Sequence, residues 1–442
     1  MKEINLDYVV LGGGLAGLSF CANSNSKKIQ VIEMLKEPGG LVRSINVNNF
    51  WFDAVVHLLH FQNDEDKINL NKYISNEFAP ILQNANVITQ AGKTKFPFQL
   101  NLGDLPKETA TKCVSDYLET IKSKPKKINN FKEWLKQSFG QKMCEVFFYP
   151  YNNKLWKRPL ESIAPRDINW TIQQFNSQKI IDGLKLNVNN NEAYNLNSLY
   201  PIPEKNKLKR CMGILTDNIY KDIKENVQLN EEIQEVNIDE RYVISKMKNN
   251  KLKKYHYSKA CISTIPLPEL LKITTPKIQK PYEFKSTGVI YAMVMLKGEK
   301  YNSKELSSYY ASSEYAFSRV IFMQNFDPHT APIGFWSLMT EITYNEDNNR
   351  DLEQLESEIK ENLLQLNLVK NIEDFVKIHF EIHPYAYAVF EKNTKTNVDS
   401  LSDFYQSKDL HLLGRYGKWQ YISMAQGYTE ALNMAERFNT SN

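Results

Sequence analysis

Three glycines close to the N-terminus have the spacing of a phosphate-binding turn. Gly12, Gly14 and Gly17 follow an apolar strand pattern and begin a helical one. In such a turn the first glycine bends the chain, the second lets a pyrophosphate approach the backbone, and the third lets helix and strand pack closely. The first helical residues, Leu15 and Ala16, present unpaired N–H groups to the phosphate charge. These five residues predict a dinucleotide site.

An acidic residue and a second glycine pair narrow the choice of dinucleotide. Glu33 ends the next apolar strand, where its carboxylate is placed to accept hydrogen bonds from a ribose diol. Gly40, Leu41 and Arg43 follow in a pattern that resembles flavoproteins such as amine oxidases and protoporphyrinogen oxidases. This pattern favours FAD over a nicotinamide cofactor and predicts Arg43 beside the second phosphate region. The alternative is that Arg43 is an ordinary solvated loop arginine.

A third group of candidate cofactor contacts lies near the C-terminus. Gly414, Arg415 and Gly417 form a turn before the last helical pattern. Glycines at a helix N-terminus suit a second approach to the phosphates or the ribityl chain of a flavin. We also expect Tyr421, after this turn, and Gln426, in that last helix, beside the cofactor.

Composition excludes several classes of protein. The chain has 442 residues, 42% of them hydrophobic, which is enough for two or three packed units. A formal net charge of +4 argues against dedicated nucleic-acid binding. Five cysteines without CxxC spacing favour a reducing compartment and give no support for a metal site. Because the charged start leads into the first strand and no apolar stretch reaches roughly 18 residues, we expect a cytoplasmic protein without signal peptide or membrane span.

The periodicity predicts the elements that must position these residues. Helical spacing appears over 64–77, 104–150 and 351–366, strand patterns occur over 286–340, and an Asn-rich turn stands at 189–191. The predicted fold class is α/β, with a Rossmann-like FAD-binding domain, an inserted helical region and a mixed β-sheet substrate domain. The FAD-binding domain is predicted to be discontinuous, with its three segments at 1–80, 205–270 and 405–442. A helical or substrate insertion is predicted over 81–204, and the β-sheet substrate domain over 271–404.

Four further segments carry a resemblance to one family. These segments span 52–57, 96–101, 150–156 and 414–421. Together they resemble the UDP-galactopyranose mutases, in particular the eukaryotic-type branch, and the last two segments are the most specific. In the first segment two valines stand where the family has a glycine pair.

The resemblance implies an unusual reaction. In this family N5 of reduced FAD acts as a nucleophile at the anomeric carbon of a nucleotide sugar. The sugar ring then opens and recloses, which interconverts the pyranose and furanose forms without net redox change. The resemblance further implies NAD(P)H as the reductant, a role in cell-surface glycan biosynthesis and a possible homo-oligomer. His57 would lie near the isoalloxazine as a catalytic residue. The alternative is a packed histidine in an apolar run.

The resemblance also assigns residues to the nucleotide sugar. Arg319 aligns with a catalytic arginine that pairs with the diphosphate, although an isolated arginine would more often form a surface salt bridge. Three tyrosines fall where the family holds the phosphates: Tyr309, Tyr385 and Tyr421. Four residues fall where the nucleotide and the sugar are held: Phe98, Gln99, Asn152 and Trp156.

Two departures from the family pattern leave a second function open. Gln174 stands where the family has another phosphate-binding arginine, with Arg166 close by, and Phe326 stands where it has another tyrosine. A ligand held by fewer cations would carry less charge or meet a different cation. The alternative function is a FAD-dependent oxidase or desaturase of the amine oxidase or protoporphyrinogen oxidase type.

Overall fold

The computed structural model describes residues 1–165, 172–185, 192, 197–347 and 350–440. The helices are α1 (Leu15–Asn23), α2 (Asp64–Leu70), α3 (Lys107–Lys122), α4 (Phe131–Met143), α5 (Tyr149–Trp156), α6 (Ser177–Asp182), α7 (Gly213–Ile223), α8 (Leu267–Ile273), α9 (Met323–Phe326), α10 (Leu352–Gln365), α11 (Thr394–Gln406), α12 (Gly414–Gly417) and α13 (Met424–Thr440). The strands are β1 (Lys2–Leu11), β2 (Ile29–Ile32), β3 (Ser44–Val47), β4 (Phe50–Asp53), β5 (Phe78–Leu82), β6 (Ala85–Thr89), β7 (Gly92–Lys95), β8 (Asn197–Pro201), β9 (Val227–Gln228), β10 (Glu231–Asn237), β11 (Tyr242–Met247), β12 (Leu252–Ser263), β13 (Thr274–Thr275), β14 (Lys285–Lys297), β15 (Ser307–Tyr310), β16 (Arg319–Phe322), β17 (Phe335–Tyr344), β18 (Phe375–Val389) and β19 (Leu410–Leu412).

The N-terminal apolar run forms a central strand of the first sheet. Its order is β13-β10-β11-β12-β1-β2-β9, and β19 also pairs with β12. Strand β1 pairs in parallel with β12 and β2. Tyr8 and Val10 belong to one apolar core, whereas Val9 and Leu11 belong to another. The strand is therefore covered on both faces, as expected for a parallel α/β sheet.

Helices from three distant regions of the chain pack together beside this sheet. Helix α1 contacts both α7 and α13, and the core between them includes Leu18, Leu215 and Tyr428. The C-terminal helix thus packs against the first helix of the chain. These contacts confirm the α/β class with a Rossmann-like unit.

A second sheet of seven strands has the order β18-β14-β17-β16-β15-β6-β7. The long strand β14 is antiparallel to both β17 and β18, and its residues from Thr287 to Leu296 are buried. Strands β6 and β7, which the periodicity does not predict, extend the other edge of the sheet because β6 pairs in parallel with β15.

The helical region predicted over 104–150 is present as α3, α4 and α5. A π-helical turn at Cys144–Phe148 joins α4 to α5. Aromatic rings fill the core of this region: the rings of Phe139 and Phe148 stack with their centroids 4.2 Å apart. This packing fixes the position of α5, which carries residues of the candidate site.

One predicted element differs from the structure. The helical pattern over 64–77 gives only α2, which ends at Leu70, followed by a 3₁₀ turn at Asn71–Tyr73. Residues from Phe78 onward instead form β5, whose partner is β8. The Asn-rich turn at 189–191 lies outside the described residues. Among the described helices, none has the length and apolar character required to cross a membrane.

Candidate functional site

The first glycine turn is shaped by contacts that exclude larger side chains. Gly12 has a φ of +97°, and a Cβ there would lie 2.7 Å from Oγ1 of Thr264. A Cβ on Gly17 would lie 2.1 Å from the carbonyl oxygen of Gly12. The turn therefore requires glycine at both positions, as the spacing predicts.

Gly14 differs because protein packing does not account for it. It is the N-cap of α1 with a φ of −73°, and no side chain caps the helix. A Cβ on Gly14 would have only the Cα of Gly40 within 4 Å, at 4.0 Å. The helix N-terminus is thus open beside a glycine pair, an arrangement that fits an anion approaching the backbone.

The turn at the C-terminal end reaches the same helix. Gly414 has a φ of +75°, and a Cβ there would lie 2.7 Å from the Cβ of Ala16. The structure therefore brings two glycine turns together that are about four hundred residues apart in the chain. This proximity fits the sequence-based expectation that both contact one cofactor.

Glu33 lies at the end of β2 and holds the turn by two hydrogen bonds. Its carboxylate accepts hydrogen bonds from the backbone N–H of Gly13, at 2.7 Å, and of Leu35, at 2.8 Å. Burial raises the pKa of Glu33, while these two amides and Arg43 act in the opposite direction. Each carboxylate oxygen accepts more than one hydrogen bond, so the position also suits a ribose diol.

Arg43 is tied to protein groups in this structure. Its guanidinium forms an ion pair of 2.7 Å with Glu381 and donates to the backbone oxygen of Gly40 at 2.8 Å. It is therefore not the solvated loop arginine of the alternative interpretation. Its expected contact with a phosphate stays a prediction.

A cavity of about 300 Å³ opens between the second sheet, the helical region and the turns at Leu41 and Arg415. It is lined by these predicted site residues: Leu41, His57, Gln99, Asn152, Trp156, Tyr309, Arg319, Arg415 and Tyr421. Residues from distant regions of the chain thus converge on one space, which is the usual form of a ligand site.

Two residues predicted to hold the substrate, Phe98 and Tyr385, do not line this cavity. Gln426, which is expected beside the cofactor, does not line it either, and nor do the glycines of the turns. Phe98 is fully buried in the aromatic core, with its ring centroid 4.9 Å from that of Phe147. Gln426 donates to the side chain of Gln62 at 2.8 Å.

Tyr385 points away because β18 is irregular at this point. Its hydroxyl donates to Glu269, and its ring packs against Trp419. In the register with β14, three residues of β18 lie between His383 and Tyr387, whereas β14 has only one in the corresponding interval. This bulge turns Tyr387, rather than Tyr385, into the cavity.

His57 is a neutral imidazole at the cavity wall. Its Nδ1 lies 2.9 Å from the backbone oxygen of Val55, so Nδ1 carries the proton and donates, which leaves Nε2 as an acceptor. Burial, followed by the positive charge of the nearby Arg415, lowers the pKa of His57 to about 4, against the raising effect of the Val55 carbonyl.

Arg319 does not stand alone, because a buried carboxylate faces it. Nη2 of Arg319 lies 2.6 Å from Oε2 of Glu341, and Glu341 is 2% exposed. The hydroxyls of Tyr291 and Tyr387 donate to the same carboxylate at 3.0 and 2.8 Å. Glu341 therefore compensates the positive charge of Arg319, which the family resemblance pairs with a diphosphate.

Strand register explains how this network forms. Tyr309 is directly opposite Arg319, Arg319 opposite Glu341, and Glu341 opposite Tyr291 across β15, β16, β17 and β14. Side chains that are directly opposite share one face of a sheet. Glu341 is not among the site residues predicted from the sequence, although an acidic residue within the otherwise apolar and neutral β17 is a signal that could have revealed it.

Helix α5 presents two predicted residues to the cavity. Asn152 and Trp156 are one turn apart, and Nε1 of Trp156 donates to Oδ1 of Asn152 at 3.2 Å. Asn152 in turn donates to the backbone oxygen of Phe148 at 2.8 Å. These bonds hold both polar groups in fixed orientations at the cavity wall.

Arg415 is a cation of the cavity without a carboxylate partner among the described ion pairs. Its guanidinium carbon lies 4.6 Å from the ring centroid of Tyr421 and 5.8 Å from that of Tyr416. A planar cation held between aromatic rings keeps its charge available for an anionic or carbonyl-bearing ligand.

Comparisons with known proteins place this geometry in a known architecture. A model of the NAD(P)-binding Rossmann-like domain matches residues 10–70. Over 99% of this chain and 94% of the other, the structure matches that of reduced UDP-galactopyranose mutase with a TM-score of 0.87 at 19% identity. The chain has the UDP-galactopyranose mutase fold.

Two oxidases have the same general architecture with lower similarity. A protein from Exiguobacterium described as a protoporphyrinogen oxidase matches with a TM-score of 0.72 at 13% identity, over 100% of this chain and 99% of the other. Putrescine oxidase bound to putrescine has a TM-score of 0.63 at 12% identity, covering 99% and 100%.

Within this mutase fold, the two departures seen in the sequence have different surroundings. Gln174 donates to the hydroxyl of Ser138 at 2.5 Å and does not line the cavity, whereas its neighbour Gln173 does. Phe326 lines the cavity and packs against Tyr200 with a centroid distance of 5.1 Å. Arg166 lies outside the described residues.

Proposed function

We propose that this chain binds FAD at the paired glycine turns. The open N-terminus of α1 at Gly14 and the adjoining Gly40 would receive the diphosphate, and Glu33 would hold a ribose. The support is the open space at Gly14: a Cβ at this position would have almost no protein atom near it, although the neighbouring glycines of the turn are tightly packed. The flavin ring would then reach the cavity beside His57 and Arg415.

We infer that the reaction is the interconversion of pyranose and furanose forms of a nucleotide sugar. The observation that carries this proposal is the likeness to reduced UDP-galactopyranose mutase, whose TM-score of 0.87 exceeds the 0.72 and 0.63 of the two oxidases. The residues that line the cavity add to it, because Asn152, Trp156 and Tyr309 are among those that the resemblance to that family assigns to the substrate.

In this proposal reduced FAD supplies the nucleophile, and the chain's own residues position the substrate and stabilise charge. Nε2 of His57 accepts a hydrogen bond without taking up a proton near neutral pH, because the pKa of His57 is about 4. Tyr309 offers its hydroxyl to the leaving diphosphate, and Arg415 offers a charge that is not compensated by a carboxylate among the described ion pairs. The hydroxyl of Tyr421 donates to the backbone oxygen of Ala388 at 2.7 Å and would have to exchange this bond to donate to the diphosphate. Nε of Arg319 is buried and has no hydrogen-bond partner among the described residues, so Arg319 can donate to a phosphate oxygen while Nη2 keeps its contact with Glu341.

The test is a conversion assay with controlled flavin redox state. The FAD-loaded protein is incubated anaerobically with UDP-galactopyranose, either oxidised or reduced by dithionite, and the products are separated by ion-exchange chromatography. We expect the furanose form to accumulate only with reduced protein. Conversion by neither form, in a protein that retains FAD, would exclude this substrate, and a colourless protein that takes up no FAD would exclude the cofactor.

A FAD-dependent oxidase is the second candidate, and one feature of the site favours it. Because Glu341 compensates the charge of Arg319, the cavity is less cationic than a site built for a diphosphate. The discriminating measurement is oxygen consumption by the FAD-loaded protein with putrescine or protoporphyrinogen. Rapid oxygen uptake without conversion of the nucleotide sugar would favour the oxidase. NADH and NADPH are compared as reductants of the bound FAD with the same protein.

A further inference from the structure

A second cavity, of about 910 Å³, lies on the opposite side of helix α5 from the first one. The residues of α5 and its flanks divide between the two spaces with helical spacing. Tyr151, Asn152 and Leu155 line the first cavity, whereas Asn153 and Lys154 line the second. Residues three and four positions apart share a helix face, so α5 forms a common wall with two different linings.

The least exposed charged group of the second cavity is a lysine. Lys154 is 8% exposed, and its ammonium group donates to the backbone oxygens of Ser312 at 2.6 Å and of Tyr310 at 3.3 Å. An ammonium group has three donors, so one remains for a ligand. No carboxylate is paired with Lys154 among the described ion pairs.

Two further cations lie beside Lys154. Lys157 and Arg350 both line the cavity and are only partly exposed. Burial, followed by the positive charges of Lys157 and Arg350, lowers the pKa of Lys154 to about 7. Burial and Arg350 likewise lower the pKa of Lys157. The three cations therefore repel one another and are incompletely solvated.

The carboxylates of this cavity form no ion pair with Lys154 or Lys157 among the described contacts. Glu358 pairs with Arg350 at 3.0 Å, and Glu145 pairs with Lys142 at 3.2 Å. Glu314 and Glu361 line the cavity as well, but both residues are exposed to solvent. Positive charge is thus concentrated at the buried end of the cavity, and the unpaired acidic groups lie at its exposed end.

We propose that the second cavity binds a small phosphorylated molecule, with its phosphate group on Lys154 and Lys157 beside Arg350. A phosphate carries a charge of about −1.5 to −2 near neutral pH and has three acceptor oxygens, and it therefore matches two lysines without carboxylate partners better than a single carboxylate does. The remaining volume accommodates the uncharged portion of such a molecule. The proposal is independent of the reaction in the first cavity, because its residues are different.

The test is calorimetric titration of the FAD-loaded protein with inorganic phosphate and, separately, with glucose 6-phosphate, at constant ionic strength. We expect saturable binding of at least one probe. The dissociation constant should rise at least tenfold in Lys154→Met and several-fold in Lys157→Gln. Tighter binding of glucose 6-phosphate indicates a phosphate monoester as the ligand, and equal binding of both probes indicates the free anion.

Two matched variants separate this site from other anion sites. Lys224→Gln removes an exposed lysine outside both cavities and should leave binding unchanged, and so should Arg319→Met in the first cavity. Circular dichroism establishes that each variant is folded; Lys157→Gln, at a partly exposed position, remains informative if Lys154→Met does not fold. Absence of saturable binding, or equal affinity in all five proteins, would overturn the proposal.

Discussion

Glu341 changes the charge that the cavity presents to a ligand. The buried carboxylate of Glu341 contacts a guanidinium and accepts hydrogen bonds from two tyrosine hydroxyls, whereas Nε of Arg319 is buried without a hydrogen-bond partner among the described residues. The same network holds Arg319 in place but weakens its attraction for an anion. The charge available to a ligand therefore depends on Glu341 as much as on Arg319.

We predict that Arg319 and Glu341 are strongly coupled in stability. Glu341→Gln leaves the partly buried guanidinium unpaired and should lower the free energy of unfolding by about 3 kcal/mol. In the double variant Arg319→Met/Glu341→Gln this penalty should be substantially smaller. Urea unfolding of the wild type, both single variants and the double variant gives the coupling, and additive effects would contradict the ion pair.

His57 gives a second prediction at this scale. The pKa of His57 in the folded protein is about 4, below its ordinary 6.5, so the unfolded chain binds the proton more tightly. The contribution of His57 to stability is then complete above pH 6.5 and is lost as the pH falls towards 4. NMR of ¹³C-labelled histidine should show one ring, absent in His57→Gln, that stays neutral down to about pH 5.

The His57→Gln variant also provides the stability readout. Its free energy of unfolding should decline less between pH 6.5 and 4 than that of the wild type. A His57 resonance that titrates near its ordinary pKa of 6.5 would instead mean that the ring is solvated and free of the Val55 carbonyl.

At the scale of elements, the site depends on one turn and one helix. The first turn joins β1 to α1 and is fixed by local backbone geometry at Gly12 and Gly17. Helix α5 owes its position to the aromatic core of the helical region and to β-sheet contacts, since Thr343 donates to the backbone oxygen of Lys154 at 2.6 Å. The turn is a local structure, whereas α5 is positioned by its neighbours.

The two glycines of the turn give a matched pair of variants. In Gly17→Ala the new Cβ meets the backbone of Gly12, so we expect destabilisation by about 1–3 kcal/mol together with loss of FAD. In Gly14→Ala the Cβ enters open space, so stability without FAD should fall by about 1 kcal/mol or less. Its FAD affinity should nevertheless fall strongly. Undiminished FAD binding by Gly14→Ala would remove the diphosphate from this helix N-terminus.

At the scale of the whole molecule, the proposed FAD unit is assembled from sequentially distant segments. Helix α1 packs against α7 and α13, and the glycine turn at Gly414 contacts Ala16. A ligand that touches several segments ties them together. Its binding free energy therefore adds to the stability of the entire assembly.

We predict that FAD raises the unfolding temperature of the whole chain. At a free concentration about one hundred times its dissociation constant, FAD should stabilise the protein by about 2.7 kcal/mol. Differential scanning fluorimetry of apoprotein with increasing FAD measures the effect, and Gly14→Ala is the control that should show little shift. An unchanged transition in the wild type would contradict FAD binding.

Much of the cofactor turn could be predicted from sequence because its determinants are local. Gly12 and Gly17 are required by dihedral angles and contacts within a short stretch of chain, and Glu33 follows one strand later. The substrate cavity was predictable only through the family resemblance. Even so, the resemblance predicted Tyr385 in the cavity, whereas a bulge in β18 places Tyr387 there instead. It also did not predict Glu341.

The sequence by itself determined the βαβ turn, the α/β class and the helical insertion, since each follows from glycine spacing or hydrophobic periodicity. Tertiary structure alone decided that Tyr309, Arg319, Glu341 and Tyr291 form one row across four strands. It also decided that α5 separates two cavities. Strand register and side-chain burial depend on pairing between distant segments, and a local pattern of residues does not specify that pairing.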